Sequence, residues 1–217
     1  MGKAYSLGTA APSSMAAAPR RSADRALLRD RSARSGAVKR AAVLSAEQIG
    51  AMLAAASPRD AALVALMCVG AMRVGEATLL AWSDVEECII AIPGQITKTG
   101  HGRTFTLPPA ACQWLQQWRE KCPTTKRGWV FPGIAGQPLS VRGAQVAITK
   151  LAEKVGIEGV SSHSFRRSAL TAAHAAGLSL REVAEISGHR SLAALEKYLD
   201  QDAAREKAEA ARSLLVG

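Results

Sequence analysis

The chain has 217 residues, a formal charge of +10 and a pI near 10.0, enough length for one full domain and a charge that favours a polyanionic partner such as nucleic acid. No apolar run reaches the length of a membrane span, and the leader lacks the apolar core of a secretory signal, so no membrane partner is expected. Cys68, Cys88, Cys112 and Cys122 show no C-x-x-C pairing and no histidine at metal-ligand spacing; neither a disulfide frame nor a zinc site is expected, and the four thiols suit a reducing cytoplasm.

Residues 1–42 are rich in Ala, Ser and Arg, with little apolar periodicity, and read as a disordered basic leader. Nine cations there oppose only Asp24 and Asp30, so this segment carries +7 of the net charge. A solvated tail is the first reading of such a block and a DNA-contacting arm the second; an organelle transit peptide fits the two aspartates poorly, and sequence added ahead of the true start is a fourth reading. Met1-Gly2 with Ser6 also fits the N-myristoylation pattern, a match too short to weigh. The remainder reads as one domain of about 175 residues.

Ser45 and Gln48 form an S-x-x-Q capping box that predicts a helix over 46–56. A second helix follows Pro58 through the apolar run 61–69, and Gly70 breaks it. A third runs over 73–81, with Val74, Ala77, Leu80 and Ala81 facing the core. Segments 88–92 and 103–107 read as strands joined by a loop holding Pro93, Gly94, Gly100 and Gly102. Pro108 and Pro109 open a helix through Lys121 whose Trp114, Leu115 and Trp118 keep helical spacing, which favours core packing over base stacking. After an extended link over 128–132, a helix from Ser140 or Val141 to about Val155 carries Arg142 and Lys150, which touch DNA phosphates or merely solvate a face. The fold class is mainly α with a small antiparallel β-sheet, α+β.

The polar residues suited to phosphate chemistry concentrate in 161–199. Ser162 is positioned to cap a helix on which His163 and Arg166 share one face at i,i+3. Gly177 ends that helix, Ser179 caps a short one, Gly188-His189 closes it, and Ser191 begins a last helix carrying Tyr198. An arginine fork matches phosphate oxygens, imidazoles exchange protons with them, and a phenol can attack phosphorus. The only other tyrosine, Tyr5, lies in the leader, so a tyrosine nucleophile would be Tyr198. Taken singly, His163 reads equally as a core histidine, His189 as a helix C-terminal cap, Tyr198 as a core tyrosine, Arg73 as a surface partner of Glu76 and Lys98 as a solvated hairpin lysine. His174 reads as a structural histidine.

Together these residues resemble the signature of the tyrosine recombinases, the phage integrase family. His163-Ser164-Phe165-Arg166, Gly188-His189 and Tyr198 are similar to its H-x-x-R, G-H and tyrosine boxes. Gly70 to Glu76, followed by Leu79 to Val85, resembles its first-arginine box, and Lys98-Thr99-Gly100 before Arg103 to Leu107 resembles its lysine hairpin, with His101 and Arg103 as nearby alternatives for the cation. The resemblance covers 43–199, leaving 200–217 as a helical tail that docks on a neighbouring subunit, folds back, or frays.

What the resemblance implies is a site-specific recombinase with an integrase catalytic-domain fold. Arg73 and Arg166 hold the scissile phosphate, Tyr198 attacks, His163 serves as base or proton shuttle, His189 hydrogen-bonds the phosphate, Lys98 protonates the leaving 5′-oxygen, and Glu76 supports Arg73. No cofactor is required. The implied partners are double-stranded DNA, further copies of the chain in a tetramer, and accessory DNA-bending or core-binding proteins, in a cytoplasmic, nucleoid-associated setting. Two features depart from the family pattern: the basic leader stands where most members carry a core-binding domain, and Ala194-Leu195 stands where many have threonines. The rival readings are a type IB topoisomerase, which relaxes DNA without synapsis, and a non-catalytic DNA-binding relic. A general nuclease lacks the clustered carboxylates for metals.

Overall fold

Ser45 and Gln48 close a reciprocal capping box, each side chain taking the other's backbone N–H, and helix α1 (Ala46–Ala55) follows from it. A computed structural model of the chain describes residues 41–196 and Leu199, all within the unit Arg40–Gly217. The leader up to residue 40, Lys197, Tyr198 and the tail from 200 onward lie outside the described residues. Ala41 and Ala42 do engage the domain: the Ala41 carbonyl accepts from Arg167 at 2.6 Å, and the Ala42 N–H donates to Gly159.

Helix α2 (Pro58–Val69), with Ser57 as N-cap and proline in its first turn, is the central rod. Ala61 through Met67 are all buried, so its entire middle is core, and it packs against α1, α4 (Pro109–Lys121), α5 (Val141–Lys154) and α6 (Ser162–Ala175). On α4, Leu115 and Trp118 are buried and Trp114 packs against the core, while the Trp118 indole donates to the Val130 carbonyl at 2.6 Å. The tryptophan stripe is therefore core, as its period indicated. Ser140 caps α5 through Gly143.

The sheet has three antiparallel strands in the order β1 (Val85–Glu86), β2 (Ile89–Ile92), β3 (Arg103–Thr106), with Ile90 opposite Phe105 and Ile92 opposite Arg103. β1 was not foreseen, because two residues are too few to display a period. Helix α7 (Leu180–Ser187) begins in a Ser179–Glu182 capping box and ends at Gly188 in the left-handed conformation, φ 66°. Helix α8 (Leu192–Glu196) follows. Leu170, Val183, Leu195 and Leu199 join Ala71 in a second, smaller core that ties α6, α7, α8 and Leu199 to the loop after α2.

Three expectations need correction. Helix α3 (Val74–Thr78) stops well short of residue 81, because Leu80 and Trp82 leave the helix to pair with Val130 and Gly128, and Ala81 bridges Trp129. The N-cap of α6 is Ser161 rather than Ser162, which is the first helical residue. Cys88 and Cys112 form a disulfide: α4 packs beneath the β1–β2 turn and brings together two cysteines 24 positions apart, which spacing alone could not show. Among the described residues no helix is long and apolar enough to cross a membrane.

Candidate active site

The loop between α2 and α3 is shaped by two local constraints. A side-chain carbon on Gly70 would lie 2.3 Å from the Phe105 ring, so glycine is what lets β3 approach here. Ala71, fully buried, then adopts φ 43°, a left-handed conformation that costs an alanine about 1 kcal/mol. Its carbonyl accepts a hydrogen bond from Nη1 of Arg166, 95 positions later.

Arg166 is wholly buried on α6, tolerable for a guanidinium only if its donors find acceptors. Besides Ala71, its Nη2 donates to the Ser187 carbonyl at 2.7 Å and lies 3.5 Å from both ring nitrogens of His189. The last turn of α7 and the Gly188 turn deliver these two partners.

Arg73 sits at the N-cap of α3. Glu76, 2% exposed, receives the Arg73 guanidinium at 2.8 Å on Oε1 and its backbone N–H at 3.0 Å on Oε2. The same Oε2 accepts from Arg103 Nη2 at 2.7 Å, and Arg103 also donates to the Gly70 carbonyl at 3.3 Å. Burial pushes the Glu76 carboxyl up, but the hydrogen bond and charge of Arg103, with the two donors of Arg73, outweigh it and hold the group below the ordinary carboxylate range. Glu76 is an anion clamped between two cations.

His189 is held neutral. Burial, then the charges of Arg166, Arg73 and Arg103, push its imidazole down to about 4, with Glu76 opposing. Its Nδ1 lies 2.6 Å from the Ser187 hydroxyl. Three guanidinia, one carboxylate and a neutral imidazole make a net cationic cluster that can stabilise charge on a phosphate and exchange protons with it. Among the described residues no group of His, Cys, Asp and Glu is arranged to hold a metal ion.

The cluster thus brings together Arg73, Glu76, Arg166 and His189. His163 is exposed on the first turn of α6, and Lys98 is exposed on the loop between β2 and β3. That loop is fastened to the His189 turn, since Arg190 donates to the Thr99 carbonyl at 2.7 Å and to His101 Nε2 at 2.9 Å. Tyr198 lies outside the described residues. His174 bonds the Leu178 carbonyl through Nδ1 at 3.0 Å, a structural histidine as read. Three participants escaped sequence reasoning in these roles: Arg103, weighed only as a substitute for Lys98, Ser187 and Arg190. No local pattern marked any of the three for these roles.

The profile of the phage integrase family matches residues 42–205. The chain belongs to the phage integrase family. Among relatives, this integrase-family chain is 31% identical over 156 residues to the tyrosine recombinase XerC of Bradyrhizobium diazoefficiens (strain USDA 110), covering 68% of this chain and 47% of that one. It is 30% identical over 148 residues to XerC of Xanthomonas axonopodis pv. citri (strain 306), covering 66% and 47%. The chain spans about half the length of the curated relatives it matches. Among solved structures, the XerA recombinase superposes with a TM-score of 0.69 at 24% identity, over 79% of this chain and 63% of that one. The XerH recombinase bound to a palindromic difH substrate, in a post-cleavage complex, gives 0.65 at 22% identity, over 79% and 53%. These two share the fold.

Proposed function

We propose that this integrase-family chain is a site-specific DNA recombinase that cuts and rejoins strands through a 3′-phosphotyrosyl intermediate. The observation that carries the reading is that Arg73 bonded to Glu76, and Arg166 held at the Ala71 carbonyl beside His189, meet at the loop over 70–73 although they come from three separated boxes of the sequence. In this reading Arg73 and Arg166 bind the non-bridging oxygens of the scissile phosphate and stabilise its transition-state charge. Tyr198 attacks phosphorus. A phenol with a pKa near 10 is mostly protonated at neutral pH, so the two guanidinia and His163 assist its ionisation. Lys98, on its tethered loop, protonates the departing 5′-oxygen, and His189 hydrogen-bonds the phosphate.

Double-stranded DNA is the substrate and a tetramer of the chain the working assembly, with accessory DNA-bending or core-binding proteins contributing to site choice, at the nucleoid in the cytoplasm. Residues 43–199 form the catalytic domain, 1–42 a basic leader, and 200–217 a tail that docks on a neighbouring subunit. Support for DNA as substrate comes from the basic cluster and from the XerH relative, described with its difH substrate.

The test is incubation with nicked suicide duplexes in the absence of metal, followed by denaturing electrophoresis and peptide mapping. A covalent adduct at Tyr198, lost in Tyr198→Phe, is the expected result. Duplex binding with no adduct would overturn the reading, and relaxation without strand exchange would reassign the chemistry to a topoisomerase.

A further inference from the structure

The Ser187 hydroxyl has one proton and three neighbours. It lies 2.9 Å from the Val183 carbonyl, 3.2 Å from the Ala184 carbonyl and 2.6 Å from His189 Nδ1. Carbonyl oxygens only accept. Were the serine proton given to Nδ1, two carbonyl oxygens would face the hydroxyl oxygen at hydrogen-bond distance with no proton between them. Given instead to the helix carbonyl, it leaves the serine oxygen as acceptor, and the 2.6 Å contact is then satisfied by a proton on Nδ1. Arg166 cannot reverse this choice, since its Nη2 stands equally far, 3.5 Å, from both ring nitrogens. Ser187 is fully buried, so water does not compete for the hydroxyl. Its backbone carbonyl meanwhile holds Arg166, so one residue sets both the arginine and the imidazole.

We propose that Ser187 is a positioning residue that fixes His189 in the Nδ1–H tautomer, leaving Nε2 as the proton-accepting atom of the ring. The consequence for catalysis rests on the recombinase reading above. There His189 donates to a phosphate oxygen, and Nε2 can do so only after taking a proton from solvent, with imidazole becoming imidazolium. An arriving phosphodiester favours that uptake by offsetting the charges of Arg73, Arg103 and Arg166, while Glu76 already favours it. The serine oxygen holds the Nδ1 proton in both states, so the ring keeps its orientation as Nε2 changes from acceptor to donor.

The chain has four histidines, and His189→Gln identifies the His189 signals. Nitrogen-15 NMR of the full chain at neutral pH, without DNA, separates protonated from lone-pair ring nitrogens. The expected result is a protonated Nδ1 and a lone-pair Nε2 at His189 in the wild type, lost in Ser187→Ala and kept in Ser187→Thr. On suicide duplexes, Ser187→Ala is expected to slow cleavage about ten- to a hundredfold with unchanged DNA affinity, and Ser187→Thr to restore it. A proton on Nε2 of the wild type, or an unchanged tautomer in Ser187→Ala, overturns the proposal. The wild-type spectrum decides the tautomer even if a variant fails to fold. A wild-type chain that forms no adduct would defeat the recombinase reading and leave the tautomer assignment standing.

Discussion

Replacing Glu76 by glutamine keeps the shape of the site and removes its only clamped anion. The carboxylate accepts three hydrogen bonds, from the Arg73 guanidinium, the Arg73 backbone N–H and Arg103. Glutamine offers one oxygen and turns an NH₂ toward a guanidinium, so at least one donor faces another donor, and two cations lose their shared counter-charge. Breaking a buried pair in this way costs about 3 to 5 kcal/mol. Arg73 is 22% exposed and partly screened, which places the expected loss near the lower end, about 3 kcal/mol. The assay is urea unfolding at neutral pH with an unchanged slope. Acid titration supplies a second readout. The folded Glu76 carboxyl is depressed, so its stabilisation is present above the unfolded value of about 4.3 and is lost as pH falls through the lower folded value. That part of the acid limb should vanish in Glu76→Gln. Cleavage should fall because Arg73 is no longer aimed. A loss below about 1 kcal/mol with an unchanged acid limb would refute the reasoning that Glu76 organises this site.

His189 gives the complementary window: neutral in the fold to about 4 but protonated below about 6.5 when unfolded, it should make stability decline as pH falls from 6.5 to 4. With solvent screening allowed for, the decline amounts to about 1 to 2 kcal/mol, and thermal unfolding of His189→Gln should lack it. Reduction of Cys88–Cys112, which closes a 24-residue separation, should cost about 3.5 kcal/mol by the loop-entropy relation, measured by denaturation with and without reductant and matched by Cys88→Ser. Gly70→Ala should destabilise by about 1 to 3 kcal/mol as its methyl meets the Phe105 ring, and pairing it with Phe105→Leu should recover part of the loss in the same unfolding assay.

Much of this domain was legible before any coordinates, because local chemistry dictated it. The Ser45–Gln48 box, the Ser179 cap and Gly188 punctuate the helices through hydrogen bonds made within a few residues, and Pro58 and Gly177 through their backbone preferences. The tryptophan stripe of α4 carried its own period. Arg73, Glu76, His163, Arg166, His189 and Tyr198 were singled out by their resemblance to short family boxes, and of these the fold brings Arg73, Glu76, Arg166 and His189 into one neighbourhood. Helix α3 was overrun by the expectation because its end is set by pairing with 128–130, which no local pattern announces.

What spacing could not supply is who faces whom across the fold. The Ala71 carbonyl on Arg166, Arg103 completing Glu76, Arg190 fastening the Lys98 loop and Cys88 against Cys112 all join residues at least 24 positions apart. Such contacts exist only after α2 is buried on all sides and the chain is folded around it. Sequence by itself determined most helix starts and stops, because capping, turn chemistry and periodicity act over single turns; the tertiary structure alone decided the wiring of the site and brought Arg103, Ser187 and Arg190 into it, because burial forces each charged group to find a partner wherever the packing has left one.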